Sequence, residues 1–282
     1  MAPLPFVLTI FAASVAAGLL GSLLGLGGGI IVVPTLTLLL GIDLKFATGA
    51  SIVSVIATSS GAAAAYVRDR ITNMRVGMFL EVATTSGALV GAFLVGIVEP
   101  RFLYLLFALM LGWSAVNMVG RRRVEIPEPA SPDRFSRRLS LAGSYYDAAL
   151  ERQVQYRAGA IPFGFGISFI AGLVSGLLGI GGGVLKVVAM ETGMRLPLKV
   201  STATSNFMIG VTAAASAGVY FARGQINPLI AAPVALGVLT GATLGARVMT
   251  RIRSRTLRFI FVPVLLYTAL QMLGRGLGVY IP

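Results

Sequence analysis

The sequence of 282 residues contains no cysteine and no histidine. Their absence excludes disulfide bonds, thiol chemistry, zinc sites built from these residues and any catalytic relay that depends on a histidine. A dinucleotide signature is missing as well, because Gly25-Leu26-Gly27 continues to Ile30, where the fingerprint requires a third glycine. We therefore expect no enzymatic activity, no cofactor and no metal ion.

Charge is also scarce: only 12% of the residues are charged, whereas about a quarter are charged in a soluble domain. Hydrophobic residues make up 56% of the chain, and the mean hydropathy is +0.87. A helix that crosses a bilayer needs about 20 mostly apolar residues, and several runs meet this length. We predict an all-α, polytopic integral membrane protein that contacts lipid. The apolar runs lie at 5–40, 47–67, 76–97, 102–120, 158–193, 200–222, 228–250 and 259–280.

The sequence matches itself without gaps when it is shifted by 154 residues, so that Gly27-Gly28-Gly29 falls on Gly181-Gly182-Gly183. The match keeps one register from Gly25 to Phe107, which chance apolar similarity would not do. We interpret it as a structural duplication, a common build among secondary carriers. It divides the chain into a first transmembrane repeat (1–120), a linker (121–157) and a second transmembrane repeat (158–282).

The first run of each repeat, 5–40 and 158–193, is too long for one span with a modest tilt. Glycines interrupt each run at 25–29 and 179–183, and glycine is the poorest helix former after proline. We expect each run to fold into a Gly-broken helical hairpin that leaves the membrane on the side where it entered.

The net charge of +13 does not indicate nucleic-acid binding, because a nucleic-acid-binding module concentrates its charge on a soluble face. Here the arginines flank apolar runs, where they fix topology. One topology places the Arg-rich segments 68–75, 121–157 and 251–258 in the cytoplasm together. The two repeats are then inverted, since Arg101 is outside and its counterpart Arg255 is inside. Inverted repeats are typical of alternating access.

Composition changes sharply in the linker. Ser131-Pro132 resembles a helix start, and Phe135 and Leu139 lie four residues apart with arginines around them. These features fit a short amphipathic helix on the membrane surface and a solvated linker equally well.

The glycine-rich breaks are the first candidate for a substrate site. Irregular backbone inside hydrocarbon is tolerated only where it is buried in protein or lines an aqueous cavity. Freed amides and the start of a half-helix attract anions. The alternative is that the glycines only permit close packing, but their matched positions favour binding. The candidate residues are Gly27, Gly28, Gly29, Gly181, Gly182 and Gly183.

The polar start of the helix after each break is the second candidate. It provides Thr48 and Ser51 in the first repeat, and Thr202, Ser205 and Asn206 in the second. These side chains can donate hydrogen bonds to an oxyanion, or they serve ordinary capping and interhelical bonding.

Ionisable residues within apolar runs are functional candidates by default. Lys186 follows Gly183 by three residues and would place a cation where an oxyanion binds; alternatively it snorkels or pairs with Glu191. Glu81 could carry a coupling proton, but its place near the end of a run favours neutralisation of Arg68 or Arg75.

Gly87-x-x-x-Gly91 and Gly241-x-x-x-Gly245 are helix-packing motifs. They serve either a dimer contact or an internal one, and a homodimer is common among carriers of this kind.

The segments from Gly21 to Gly29 and from Ser175 to Gly183 resemble the two motifs of the sulfite exporter TauE/SafE family. Pro34 fits the family pattern, whereas Val188 departs from it in the second half. The resemblance implies a transporter of the bacterial inner membrane that exports sulfite, sulfoacetate or a related sulfonate. The coupling ion would be a proton or sodium. An anion channel and a non-transporting scaffold are the alternatives.

Overall fold

The computed structural model describes residues 3–24, 27–94, 97–120, 134–249, 251–252 and 254–279. Within these residues the chain is helical apart from one two-stranded sheet, so the predicted all-α membrane fold is confirmed. The first half contains α1 (Pro3–Leu24), α2 (Gly29–Pro34), α3 (Leu44–Arg68), α4 (Met74–Leu94) and α5 (Pro100–Gly120). The linker contains α6 (Arg134–Arg138), β1 (Ala142–Asp147) and β2 (Arg152–Arg157). The second half contains α7 (Ile161–Leu178), α8 (Gly183–Val188), α9 (Leu198–Ala222), α10 (Pro228–Met249) and α11 (Ser254–Leu277).

Five of the described helices are long and apolar enough to cross a membrane: most of α1, and α3, α4, α7 and α10. The helical order of the first half recurs in the second at the offset that separates Gly29 from Gly183. Even the short π-helical segments that extend α2 and α8 recur, at Thr35–Leu39 and Ala189–Gly193.

The glycine-rich break turns the second long run back on itself. Gly179, Gly181 and Gly182 all have positive φ angles, which glycine adopts without strain. The chain then returns along α8, and the N–H of Gly159 donates to the carbonyl of Met194 at 3.1 Å. The two ends of the run therefore meet, as the predicted Gly-broken hairpin requires. In the first run Gly27 also has a positive φ, while Gly25 lies outside the described residues.

Equivalent helices of the two halves run antiparallel. Asn73, just after α3, donates its N–H to Thr204 near the start of α9 at 3.0 Å. Likewise Arg101, at the start of α5, donates to the carbonyl of Gly276 near the end of α11 at 3.0 Å. A two-fold axis between the halves requires this pairing; the inversion relative to a membrane stays a prediction.

Among the described residues, one Arg-rich segment contacts the linker, since Arg75 donates from Nη1 to the carbonyl of Ser140 at 3.1 Å. Because α5 and α11 are antiparallel, the end of α5 at Gly120 also lies near the start of α11 at Ser254. Both contacts are consistent with the positive-inside rule, and the cytoplasmic location of these segments stays a prediction.

The linker contains a short helix, α6, within the stretch where a helix was expected, and after it a docked β-hairpin that neither sequence expectation included. Ala142 pairs with Arg157 and Asp147 with Arg152, and alternate side chains face the bundle, including the buried Tyr145 and Tyr156. Asn73 donates to Tyr156 Oη at 3.2 Å. Burial raises the pKa of Tyr156 by more than this hydrogen bond lowers it. The phenol therefore stays neutral where it packs against the bundle. The predicted helix start at Ser131-Pro132 lies outside the described residues.

Both Gly-x-x-x-Gly motifs make internal contacts. A side chain at Gly87 or Gly91 in α4 would collide with the backbone carbonyls of α7. Gly241 and Gly245 in α10 meet the backbone of α1 in the same way. Of the two roles proposed for these motifs, the structure assigns the internal one.

We expect Gly91→Ala to lower the free energy of unfolding by about 1–3 kcal/mol, the usual cost of overpacking a close contact. Thermal unfolding in detergent measures the loss. Gly112→Ala is the matched control, because a methyl group in that part of α5 meets no atom within 4 Å. Equal stability of the two variants would contradict the assigned contact.

Candidate functional site

The two glycine turns meet at the centre of the bundle, between α3 and α9. Gly27 and Gly181 both lie against Val55 of α3 and Ile209 of α9. A side chain at Gly29 would press on Ser51 and reach Ile180 Cα at 3.0 Å. Close packing therefore explains why these positions lack side chains. Any ligand role for these glycines remains a proposal.

Polar side chains from α3 and α9 bind the backbone that each turn leaves free. Ser51 Oγ donates to the carbonyl of Gly179 at 2.8 Å. The N–H of Gly28 donates to Thr58 Oγ1 at 3.2 Å. Each bond joins the polar face of α3 to a broken helix. Thr58 had no distinguishing mark in the sequence, since its role depends on a turn thirty residues away.

Ser205 and Asn206 of α9 also form hydrogen bonds with backbone groups of the broken helices. Ser205 Oγ donates to the carbonyl of Gly183 at 3.4 Å, and Asn206 Nδ2 donates to the carbonyl of Ser22 at 3.0 Å. The other amide atom of Asn206, Oδ1, is buried and has no hydrogen-bond partner. The structure thus gives Ser51, Ser205 and Asn206 bonding partners within the protein and leaves one acceptor unused.

Thr48 and Thr202 occupy equivalent positions but have different surroundings. Thr48 lines a cavity of about 380 Å³ that also touches Lys45 and Gln225. Gly179, at the start of the second glycine turn, packs on the Thr48 backbone, with the Thr48 carbonyl oxygen 2.7 Å from where a Gly179 Cβ would lie. Thr202 is completely buried, and its hydroxyl has no hydrogen-bond partner. Only one of the two candidate positions therefore faces open space.

Lys186 is fully buried and binds a partner that the sequence did not indicate. Its Nζ donates to Thr212 Oγ1 at 2.6 Å, and Thr212 in turn donates to Glu81 Oε1 at 2.7 Å. Lys186 Nζ lies 3.9 Å from Glu81 Oε2. Glu81 thus pairs with Lys186, whereas Arg68 pairs with Asp69 and Arg75 binds the carbonyl of Ser140. These groups meet because α4, α8 and α9 converge, which no local pattern reveals.

The Glu81 carboxyl group accepts hydrogen bonds from two hydroxyls through the same oxygen, Oε1. Besides Thr212, Thr85 donates to its Oε1 at 2.9 Å. On its other side lies a cavity of about 530 Å³, whose walls are mostly apolar and include Met78 and Phe207. A buried acid and base joined through a hydroxyl can exchange or pass on a proton.

Among the described residues, no group of histidine, cysteine and acidic side chains could hold a metal ion.

Comparison with known proteins also indicates a membrane transporter. A family model described as "Sulfite exporter TauE/SafE" matches residues 10–272. The chain is 27% identical to the "Probable membrane transporter protein YunE" of Bacillus subtilis over 268 residues, covering 93% of this chain and 95% of the relative. It is 26% identical to the "Probable membrane transporter protein MJ0441" of Methanocaldococcus jannaschii, covering 91% of each. No solved structure matches the chain significantly.

We expect Lys186→Met to destabilise the protein by about 3–5 kcal/mol, because it leaves the Glu81 carboxylate buried without its cation. Glu81→Gln combined with Lys186→Met should cost less than the single change, since both charges are then gone. Unfolding in detergent of Lys186→Met, Glu81→Gln and the double variant completes a double-mutant cycle.

Arg68→Gln is the control for that cycle, because its ion pair with Asp69 is exposed and should contribute below about 1 kcal/mol. Strict additivity of the Glu81 and Lys186 changes would show that the two charges do not interact.

Proposed function

We propose, since this chain belongs to the sulfite exporter TauE/SafE family, that it exports sulfite or an organosulfonate such as sulfoacetate by alternating access. The chain is a multi-pass membrane transporter, as its family and its relatives' names indicate. The substrate class and the mechanism are our proposals. The bacterial inner membrane is the proposed location, with the linker 121–157 in the cytoplasm, as the clustered arginines favour.

The observation that carries the proposal is the cavity that reaches Thr48 and abuts the glycine turn at Gly179. A small oxyanion entering there would meet Lys45, Gln225 and the polar start of α3, where Asp43 also lines the cavity. Cations, hydroxyls and amides are the groups that bind sulfite and sulfonate oxygens. We propose that Gly27, Gly28, Gly29, Gly181, Gly182 and Gly183 form the substrate path, together with Thr48, Ser51, Lys186, Thr202, Ser205 and Asn206.

Alternating access is supported by the unequal state of equivalent positions. Thr48 lines a cavity whereas Thr202 is buried with an unused hydroxyl. Exchanging the conformations of the two halves would exchange these environments, which is how inverted repeats open one side at a time. An anion channel would instead need the positions of Thr48 and Thr202 to be open at the same time. A scaffold would need no opening at either position.

The coupling ion that we propose is a proton or sodium. Glu81 and Lys186 are a buried pair able to take up and release a proton, while the hydroxyl groups of α3 and α9 suit sodium. Flux into liposomes under a pH gradient alone, or a sodium gradient alone, decides between them. A homodimer remains the oligomeric state that we expect.

We expect purified protein in liposomes to move sulfite or sulfoacetate saturably, and to move acetate and chloride far more slowly. Thr48→Val should reduce this flux about tenfold, because it keeps the side-chain volume but removes the hydroxyl of a cavity-lining residue, which bonds the carbonyls of Leu44 and Lys45 in its own helix. Stopped-flow or radiotracer flux measures both effects.

Ser60→Ala is the matched control, because the Ser60 hydroxyl is exposed and bonds only the carbonyl of Ile56 in its own helix. Absence of flux for every sulfur oxyanion under each gradient would refute the proposed substrate class. Single-channel conductance in a planar bilayer would instead favour the channel.

A further inference from the structure

A pair of equivalent lysines stands at the two ends of the proposed path. Lys45 is the second residue of α3, and its counterpart Lys199 is the second residue of α9. Lys45 is exposed and lines the open cavity. Lys199 is only 1% exposed, and its Nζ lies 2.7 Å from Asp147 Oδ1. Equivalent cations therefore face open space at one mouth and a carboxylate at the other.

Asp147 comes from the linker hairpin, at the end of β1. Tyr145 Oη donates to its Oδ2 at 3.1 Å, and the N–H of Ala149 donates to its Oδ1 at 2.9 Å. The N–H of Leu150 also donates to Oδ1, at 3.3 Å. These donors fix the carboxylate in one orientation, so the hairpin presents a preformed oxyanion to Lys199.

The hairpin also closes the space around Lys199. Leu177 and Gln225, which line the outer cavity, and their counterparts Leu23 and Ile71 are all buried, so the two mouths differ in the exposure of the lysines themselves. Tyr156 and Asn73 join the hairpin to the end of α3. At the outer mouth the nearest carboxylate, Asp43, caps α3 and accepts from the backbone N–H of Lys45. No linker-like segment among the described residues covers Lys45.

We propose that Lys45 and Lys199 are the oxyanion-binding cations of the outer and inner mouths, and that Asp147 occupies the inner site in place of the transported anion. The linker hairpin is then an autoinhibitory plug that must leave before the inner mouth opens. The cargo's identity as an oxyanion rests on the proposed function; the plug rests on the hairpin contacts alone.

A carboxylate and a sulfonate or sulfite group present similar arrays of oxygen acceptors, so each can bind one lysine in turn. An arriving anion weakens the hold of Asp147 on Lys199, and departure of the anion restores it. The plug thus ties opening of the inner mouth to the presence of cargo, and a ligand shifts an equilibrium only by such preferential binding.

Accessibility of single cysteines tests the plug without a transport assay. Because the chain contains no cysteine, Thr48→Cys and Thr202→Cys each introduce one unique thiol. In detergent, a negatively charged methanethiosulfonate reagent should modify the thiol at position 48 rapidly and that at 202 slowly. Adding Asp147→Asn should speed modification at 202 about tenfold, because the neutral amide keeps the turn but releases Lys199.

Asp69→Asn is the matched control, since it removes one negative charge from an exposed ion pair at the same end of the bundle. It should leave both rates unchanged. Lys199→Met should act like Asp147→Asn, which guards against a folding defect in either variant, and size-exclusion elution and thermal unfolding confirm folding.

An unchanged rate at position 202 in both folded variants would overturn the plug. Flux of sulfur oxyanions with unchanged accessibility would leave the proposed function standing without the plug. Faster modification at 202 without flux of any sulfur oxyanion would leave the plug standing without that substrate.

Loss of flux in Lys45→Met, with normal folding, supports the outer site; unaltered flux and affinity in that variant would remove it.

Discussion

The fold depends on bringing two broken helices together inside the bundle, because irregular backbone cannot face hydrocarbon. Glycine makes the contact at both breaks, since a side chain at Gly29 would press on Ser51 and one at Gly181 would press on Val55. Hydroxyls of α3 and α9 then bind the backbone groups that the breaks expose. The glycines and the hydroxyls therefore depend on each other, because the hydroxyls bond the backbone groups that the glycine breaks expose.

The duplication provides two similar frameworks, and a few substitutions give them different chemistry. In the first half Thr58 accepts the N–H of Gly28, whereas its counterpart Thr212 joins Lys186 to Glu81. The counterparts of Lys186 and Glu81 are Val32 and Ala235, so only one half has this buried ion pair. In the proposed transport cycle, an ionic cluster on one side would let ion binding favour one conformation.

Much of the fold could be predicted because three features are visible in the sequence itself. These are the glycine breaks, the placement of the arginines and the similarity of the two halves. The docked hairpin could not, because its alternation of Tyr145 and Asp147 is short and lies in a charged segment that helical periodicity obscures. The Glu81–Lys186 pair could not either, since the two residues are far apart in sequence and neither position predicts the crossing of α4 and α8. The sequence singled out the glycines and the polar helix starts as candidates, and their packing contacts emerge only when both halves are placed together. Their role in binding a substrate stays a prediction.

A channel requires a path that is open at both mouths, and the packing at the centre argues against one. Gly179 packs on the backbone of Thr48, which lines the outer cavity, and Thr202 in the other half is buried. Val55 and Ile209 lie against both Gly27 and Gly181, so the proposed path would require the hairpins to move against α3 and α9. Contacts made by glycine lack interlocking side chains, which lowers the steric barrier to such movement. The glycines that allow the helices to break inside the membrane are thus also compatible with the alternating access that we propose.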